Sequence, residues 1–224
     1  MGRGHGSAIL RIGPVQRGQG LELGICGRIG GAGGFPAPLC ALEDLMAANE
    51  LVDVVDENDE VVDTVERHVM RERHLAHRAS YIAVMDPSGR FLVELRTLAK
   101  DYAPGLFDAV VGGVMQHGEK PDESAARELM EEVRLDASDP EGSFTPLGKM
   151  RLPYRDGVHF LYAYLYLARS GRETVRQREE VMGIMMLTEG ELSRLLGSCT
   201  WDSQIAFREI LRRARERGLV KSQD

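Results

Sequence analysis

The chain has 224 residues, 43% hydrophobic and 28% charged, the balance of a globular domain with room for a real core. Its net charge of −7 repels a nucleic-acid backbone on average but leaves small phosphorylated ligands, which a local basic pocket or a metal can hold. Cys26, Cys40 and Cys199 form no C-x-x-C pair, which argues against a zinc site or a disulfide framework and fits a reducing compartment. No apolar run approaches the roughly 18 residues of a membrane span.

Residues 1–45 differ from the rest. They are glycine-rich, and Arg3, Arg11, Arg17 and Arg28 face one acid, Glu22, before residue 43. A flexible tail, an organelle transit segment and a start site assigned too early are the three readings. Arginine without acids suits transit, whereas the scarcity of serine opposes it. Met46 opens an ordered pattern at once. We therefore expect an extension over residues 1–45, disordered or not part of the mature protein, and a folded domain over residues 46–224.

LVDVV (51–55) and VVDTV (61–65) flank the acidic turn DENDE and predict a hairpin. A short helix follows within 67–75. SYIAVMD (80–86) and RFLVELR (90–96), separated by PSG, predict a second hairpin. Pro104-Gly105 punctuates the chain before LFDAVVGGV (106–114), a third strand-rich run. Residues 121–133 switch to a helical period. Strands are expected at 146–152, 158–168 and 182–187, then helices near 188–197 and 202–217. Strands interrupted by a few helices, without a βαβ rhythm, predict a mixed sheet packed between helices.

The helix at 121–133 carries the chemistry. Pro121 suits its first position, and Asp122 and Glu123 suit its first turn. Ala125, Leu129 and Val133 share one arc of the wheel, and we place Glu128, Glu131 and Glu132 on the opposite arc. Stacked like charges cost a helix a few tenths of a kcal/mol per pair, which a solvated face tolerates. The surroundings point elsewhere. A Gly112-Gly113 corner, where backbone approaches a ligand closely, precedes the helix, and Glu119 lies just before it. Several carboxylates beside a phosphate site are what a hard divalent cation binds. Mg²⁺ is the expected cofactor, with Mn²⁺ as the alternative.

At these residues the sequence resembles the Nudix family. Gly113, Glu119, Arg127, Glu128, Leu129, Glu131, Glu132 and Leu135 fall in place in the Nudix box. Arg134 stands where the box has glycine, and Lys120 where a Ser or Thr cap is usual. LVDVVDENDEVV, HRASYIAV, Arg96 with Lys100, and PGLFDAVVGGV are similar to the branch related to isopentenyl-diphosphate isomerase. The resemblance spans about residues 51 to 215 and implies an α/β fold, a Nudix-type α/β/α sandwich with a mixed β-sheet. It implies Glu128, Glu132 and Glu131 as metal ligands, with the Gly113 carbonyl. It implies a catalytic set of Glu131, Arg127 and Glu119, with Arg127 bracing Glu119 or Glu131. Arg96, Lys100 and Glu180 are carried over as substrate-binding, although Gly183 and Met186 replace an acid and a tryptophan common in relatives beside Glu180.

Other residues have plainer readings. His77 lies near a metal-binding histidine of the isomerases, but a lone histidine is more often structural. His117 is a loop histidine. Tyr162, Tyr164 and Tyr166 alternate along one strand and should share a sheet face. Arg208, Arg212, Arg213, Arg215 and Arg217 suit the C-terminal end of the last helix.

The function expected is Mg²⁺-dependent hydrolysis of a diphosphate bond in a nucleoside diphosphate derivative or related metabolite. A non-catalytic nucleotide-sensing module is the alternative. An isomerase would need a cysteine in the region DAVVGGVM, and none lies between Cys40 and Cys199. The expected partner is a small phosphorylated substrate, with neither nucleic acid nor membrane, and a homodimer is allowed. The expected compartment is the cytoplasm, or an organelle if residues 1–45 are a transit segment.

Overall fold

A computed structural model describes residues 50–100 and 102–221, which fall in one compact unit, Ala37–Asp224. The expectations for residues 1–45, with Cys26 and Cys40, lie outside the described residues.

Strands β1 (Leu51–Val55) and β2 (Val61–Glu66) pair antiparallel as a separate ribbon, followed by helix α1 (Arg67–Glu72). The acidic turn between them is tied down residue by residue. Asp56 Oδ1 accepts the Asn58 and Glu60 N–H groups at 2.8 and 2.9 Å. Asp59, in left-handed backbone at φ 66°, is buried and accepts from Arg78 Nε at 2.7 Å, Tyr164 at 2.6 Å and Lys149. The turn thus docks the ribbon onto the main sheet.

That sheet contains β3 (Arg78–Met85), β4 (Phe91–Arg96), β5 (Phe107–Asp108), β6 (Ser143–Pro153), β7 (Phe160–Arg169) and β8 (Val181–Leu187). The order is β5-β4-β3-β7-β6, with β8 on the other edge of β4. β3 and β7 run parallel and the other pairs antiparallel, so the sheet is mixed.

The hairpin expected at 80–96 opens into a fork. β3 and β4 pair at Met85 and Phe91, beside the turn, and then part. Residues 107–114 enter the gap. Phe107 and Asp108 pair with β4, after which Val111 bridges to Ile82 and Val114 to Ala79. The long strand expected at 106–114 is therefore corrected to a two-residue strand and two isolated bridges. The segment changes partner midway, and a continuous ladder does not survive the change.

Helix α2 (Pro121–Val133) covers one face of the sheet. Helix α3 (Glu189–Leu195), a 3₁₀ turn (Leu196–Ser198) and α4 (Trp201–Glu216) cover the other. The strand period of two explains the division. Tyr81, Ala83 and Met85 pack with Phe207, Ile210 and Leu211 of α4. Ile82 and Val84 pack with Ala125, Leu129 and Val133 of α2. The result is the expected α/β/α sandwich.

Two further expectations resolve into structural roles. Tyr162, Tyr164 and Tyr166 donate to Glu57 O, Asp59 and Asp122. On the last helix, Arg213 Nη1 donates to Leu147 O and Lys149 O, both at 3.1 Å, and Arg217 Nη1 to Pro146 O at 2.8 Å. Those carbonyls flank the irregularity where β6 slips register between Pro146 and Gly148.

Candidate active site

Helix α2 begins at Pro121, and the Glu123 carboxylate accepts the Lys120 N–H at 3.4 Å. This is half of a capping box, because a lysine side chain offers no acceptor in return. The helix ends at Arg134, which adopts the left-handed conformation (φ 58°, ψ 34°) and donates its N–H to Met130 O at 3.2 Å. Arginine thus takes the backbone state that glycine adopts most freely, and the helix end stays where the box puts it.

The placement of the acids needs correction. Glu128 and Glu132 are only 8% and 6% exposed, while the Glu131 side chain is 56% exposed. At about 100° per residue, Glu128 and Glu132 lie beside Ala125 on the wheel, not opposite it. The face that meets the sheet therefore carries two carboxylates, and Glu131 alone of the three looks outward.

Arg127 joins the acids. Its Nε and Nη2 donate to the two Glu119 oxygens at 2.8 and 3.0 Å, and its Nη1 donates to Glu128 at 2.9 Å and Glu131 at 3.0 Å. Glu119 also accepts the Gln116 N–H at 3.0 Å. Burial pulls Glu119 upward, but these bonds outweigh it and hold its carboxyl below the ordinary range. Glu132 accepts the Gly112 N–H at 3.1 Å. A Cβ on Gly113 would stand 2.7 Å from Glu128 Oε1, and one on Gly112 2.0 Å from the Ser80 carbonyl oxygen. The glycine corner thus lets backbone approach both acids. The Gly113 carbonyl accepts the Ser80 N–H at 2.9 Å, which leaves its second lone pair.

Beside this corner opens a cavity of about 360 Å³. Arg67, Arg96 and Lys100 line it with positive charge, and Tyr102, Tyr154 and Trp201 with aromatic rings. Arg96 pairs with Asp108 at 2.5 Å and donates to Tyr102 O, and Lys100 pairs with Glu180. The residues expected to bind substrate, Arg96, Lys100 and Glu180, are thus gathered at one place, with each cation already holding an acid. No lining residue of the cavity is a cysteine. Among the described residues the one cysteine, Cys199, is buried, and burial pushes its thiol up to about 11.

A model of the NUDIX domain matches residues 75–205, more than half of the chain. The chain belongs to the Nudix family. It is 35% identical over 178 residues to a Shigella flexneri protein named "Uncharacterized Nudix hydrolase YfcD", covering 80% of this chain and 96% of that one. A Streptomyces coelicolor Nudix hydrolase, SCO1686, is 37% identical over 154 residues, 68% of this chain and 82% of that one. The crystal structure of DR0079 from Deinococcus radiodurans matches with a TM-score of 0.61 at 24% identity, over 73% of this chain and 98% of that one. The Nudix domain of Shewanella oneidensis NrtR, solved with ADP ribose, matches with a TM-score of 0.50 at 16% identity, over 63% and 88%. Both show the shared fold. As a Nudix hydrolase the protein acts on phosphoanhydride bonds, in a family that generally uses divalent metals.

The Nudix helix also has a neighbour that the sequence reading missed. Glu94, on β4, is 3% exposed, and its Oε1 has no hydrogen-bond partner. Burial, then the charge of Asp108, pushes Glu94 up to about 8. Burial raises Glu128, and burial with the charges of Glu94 and Glu128 raises Glu132 well above the carboxylate range. The available signal was an acid inside the apolar run FLVEL, two positions after a core leucine.

His77 is buried, and its Nδ1 lies 2.9 Å from Leu75 O. Burial pulls it down to about 4. His117 is exposed and pairs with Asp53 at 2.6 Å. Among the described residues, one group of three donors has its ligand atoms within 4.8 Å of one another: His74, Asp156 and His159. Asp156 holds its own turn, accepting the N–H of Val158 and of His159 and pairing with the His159 ring at 2.7 Å. The Nudix acids form no such group.

Proposed function

We propose that this Nudix hydrolase cleaves the diphosphate of a nucleoside diphosphate derivative, with Mg²⁺ or Mn²⁺ held at Glu128, Glu132 and Glu131. One observation carries the reading: two buried carboxylates of one helix stand against a glycine corner that opens into a cationic, aromatic cavity. The donor set fits a hard divalent cation, since it is all oxygen and includes buried acids that are costly to leave charged and alone. Such a cation, when bound, neutralises charge on the diphosphate and makes water a better nucleophile at neutral pH.

The chain's own residues do the rest. Arg127 and Glu119 fix the helix acids in place, because Glu119 has both oxygens committed and is a positioning group. Glu131, exposed and bonded to Arg127, is the residue we assign to accept a proton from the attacking water. Arg96 and Lys100 bring positive charge to the phosphates by exchanging part of their hold on Asp108 and Glu180. Tyr102, Tyr154 and Trp201 offer flat faces to a base. The ADP ribose bound by the NrtR domain is a ligand of this class. The ligand is small, since a net charge of −7 opposes a nucleic-acid backbone. Among the described residues, no helix is long and apolar enough to cross a membrane.

The test is a substrate panel with Mg²⁺: nucleoside di- and triphosphates, nucleotide sugars, ADP-ribose, NADH and dinucleoside polyphosphates. Release of phosphate or pyrophosphate, or of the corresponding nucleoside monophosphate, from at least one, abolished by EDTA, is expected. No release from any, while a nucleotide still raises the melting temperature, would replace hydrolysis with nucleotide sensing.

A further inference from the structure

Glu94 has no task in the reading above, yet its position is costly. It lies in β4, paired with Asp108 on one side and Ile184 on the other. Strand alternation puts it on the face of Leu92, and Leu92 packs in the cluster of Leu129 and Val133 beneath α2. Phe91 and Val93 take the opposite face. Glu94 therefore points toward the helix that carries Glu128 and Glu132. The cations near it are engaged elsewhere, Arg96 with Asp108 and Lys100 with Glu180. Among the described residues, Glu94 is the one carboxylate with a buried oxygen that nothing hydrogen-bonds.

A buried carboxylate oxygen without a partner calls for a cation or a proton. The nearby acids point to the cation. We infer that Glu94 and Glu132 together hold a divalent cation between β4 and the last turns of α2, in a position that the Nudix box residues alone do not define. The ligand class is a hard divalent ion such as Mg²⁺ or Mn²⁺, which takes oxygen donors and fills its remaining positions with water. Glu94 joins the sheet to the metal centre, so the site is shared between strand and helix. The inference rests on the proposed function only in taking Glu132 as a metal-site residue.

Mn²⁺ is the probe. Binding to the full chain is measured by electron paramagnetic resonance of free Mn²⁺, for wild type, Glu94→Gln and Glu94→Asp. Glu94→Gln keeps the shape and removes the charge. It should lose one bound Mn²⁺ per chain or weaken its binding by at least about tenfold, and without metal it should melt above wild type. Glu94→Asp, which draws the carboxylate back by one methylene, should also bind more weakly and serves if the first variant does not fold. Wild-type Mn²⁺ number and affinity in a folded variant overturn the inference. The outcomes also separate the two claims. Wild-type hydrolysis with unchanged Mn²⁺ binding in Glu94→Gln sinks this inference alone. Lost Mn²⁺ binding in a protein that hydrolyses nothing on the panel sinks the proposed function alone.

Discussion

Arg127 grips Glu119 through two parallel bonds, Nε to Oε1 at 2.8 Å and Nη2 to Oε2 at 3.0 Å. The same guanidinium reaches Glu128 and Glu131, so one planar group sets three carboxylates. Arg127→Met would leave Glu119 and Glu128 without their cation. We expect a loss of about 2–3 kcal/mol in urea unfolding. Arg127→Lys restores charge but not the fork. It should recover part of the stability while activity stays at least about tenfold down. Equal recovery of both would show that charge, and not geometry, is what the arginine provides.

The two glycines of the corner should fail differently. At Gly112 (φ 146°) a Cβ would meet backbone at 2.0 Å, which no side-chain movement relieves. Gly112→Ala is expected to destabilise by more than about 3 kcal/mol. At Gly113 the Cβ would meet the end of the Glu128 side chain, which can move. Gly113→Ala should therefore stay folded, within about 1 kcal/mol of wild type, and lose at least about tenfold in rate. Thermal melts beside initial rates check both.

Arg134 tests the glycine position of the box. A residue with a Cβ in left-handed backbone costs about 1 kcal/mol relative to glycine. Arg134→Gly should raise stability by roughly 0.5–1 kcal/mol, after allowing for the greater freedom of an unfolded glycine. A drop in melting temperature would mean that the arginine side chain makes a contact worth more than the strain.

His77 sets a pH dependence. Burial holds its folded-state value at about 4, below the ordinary 6.5 of the imidazole. Between these values the unfolded chain binds a proton that the folded chain refuses. His77 therefore makes stability fall as pH drops from about 6.5 toward 4, and the full effect is roughly 3 kcal/mol. His77→Gln should flatten this part of the curve by about that amount between pH 7 and pH 4, measured by urea unfolding at each pH. Parallel curves would show that His77 takes up its proton as readily in the folded protein as in the unfolded chain.

Local signals were the readable ones. The bounds of α2 follow from Pro121 and the spacing of Ala125, Leu129 and Val133, all set within the helix itself. The box acids were found because their spacing is local too. Their burial was not, since the wheel shows which residues share a side but the sheet decides how wide the covered arc is. The ion pairs of Arg96 and Lys100 join residues 12 and 80 positions apart, so strand pairing had to form before they existed. Within RFLVELR, Glu94 is one acid among apolar residues, and the local sequence does not say what will cover it. It is buried because β8 and α2 close over β4, contacts made by residues far along the chain. The fork between β3 and β4 was hidden for the same reason, because PSG predicts a turn but not where the strands part.

The most direct test of the metal site proposed on α2 is the Mg²⁺-dependent rate of Glu132→Gln against wild type, on whichever panel compound the wild type cleaves fastest. Glu132 is buried and bonded to Gly112, so the isosteric change should leave the fold intact and, without metal, no less stable. The expected result is a folded variant whose rate falls at least about 100-fold and is not restored by excess Mg²⁺. A folded variant with the wild-type rate and wild-type Mg²⁺ dependence would contradict the assignment of Glu132 to the metal centre.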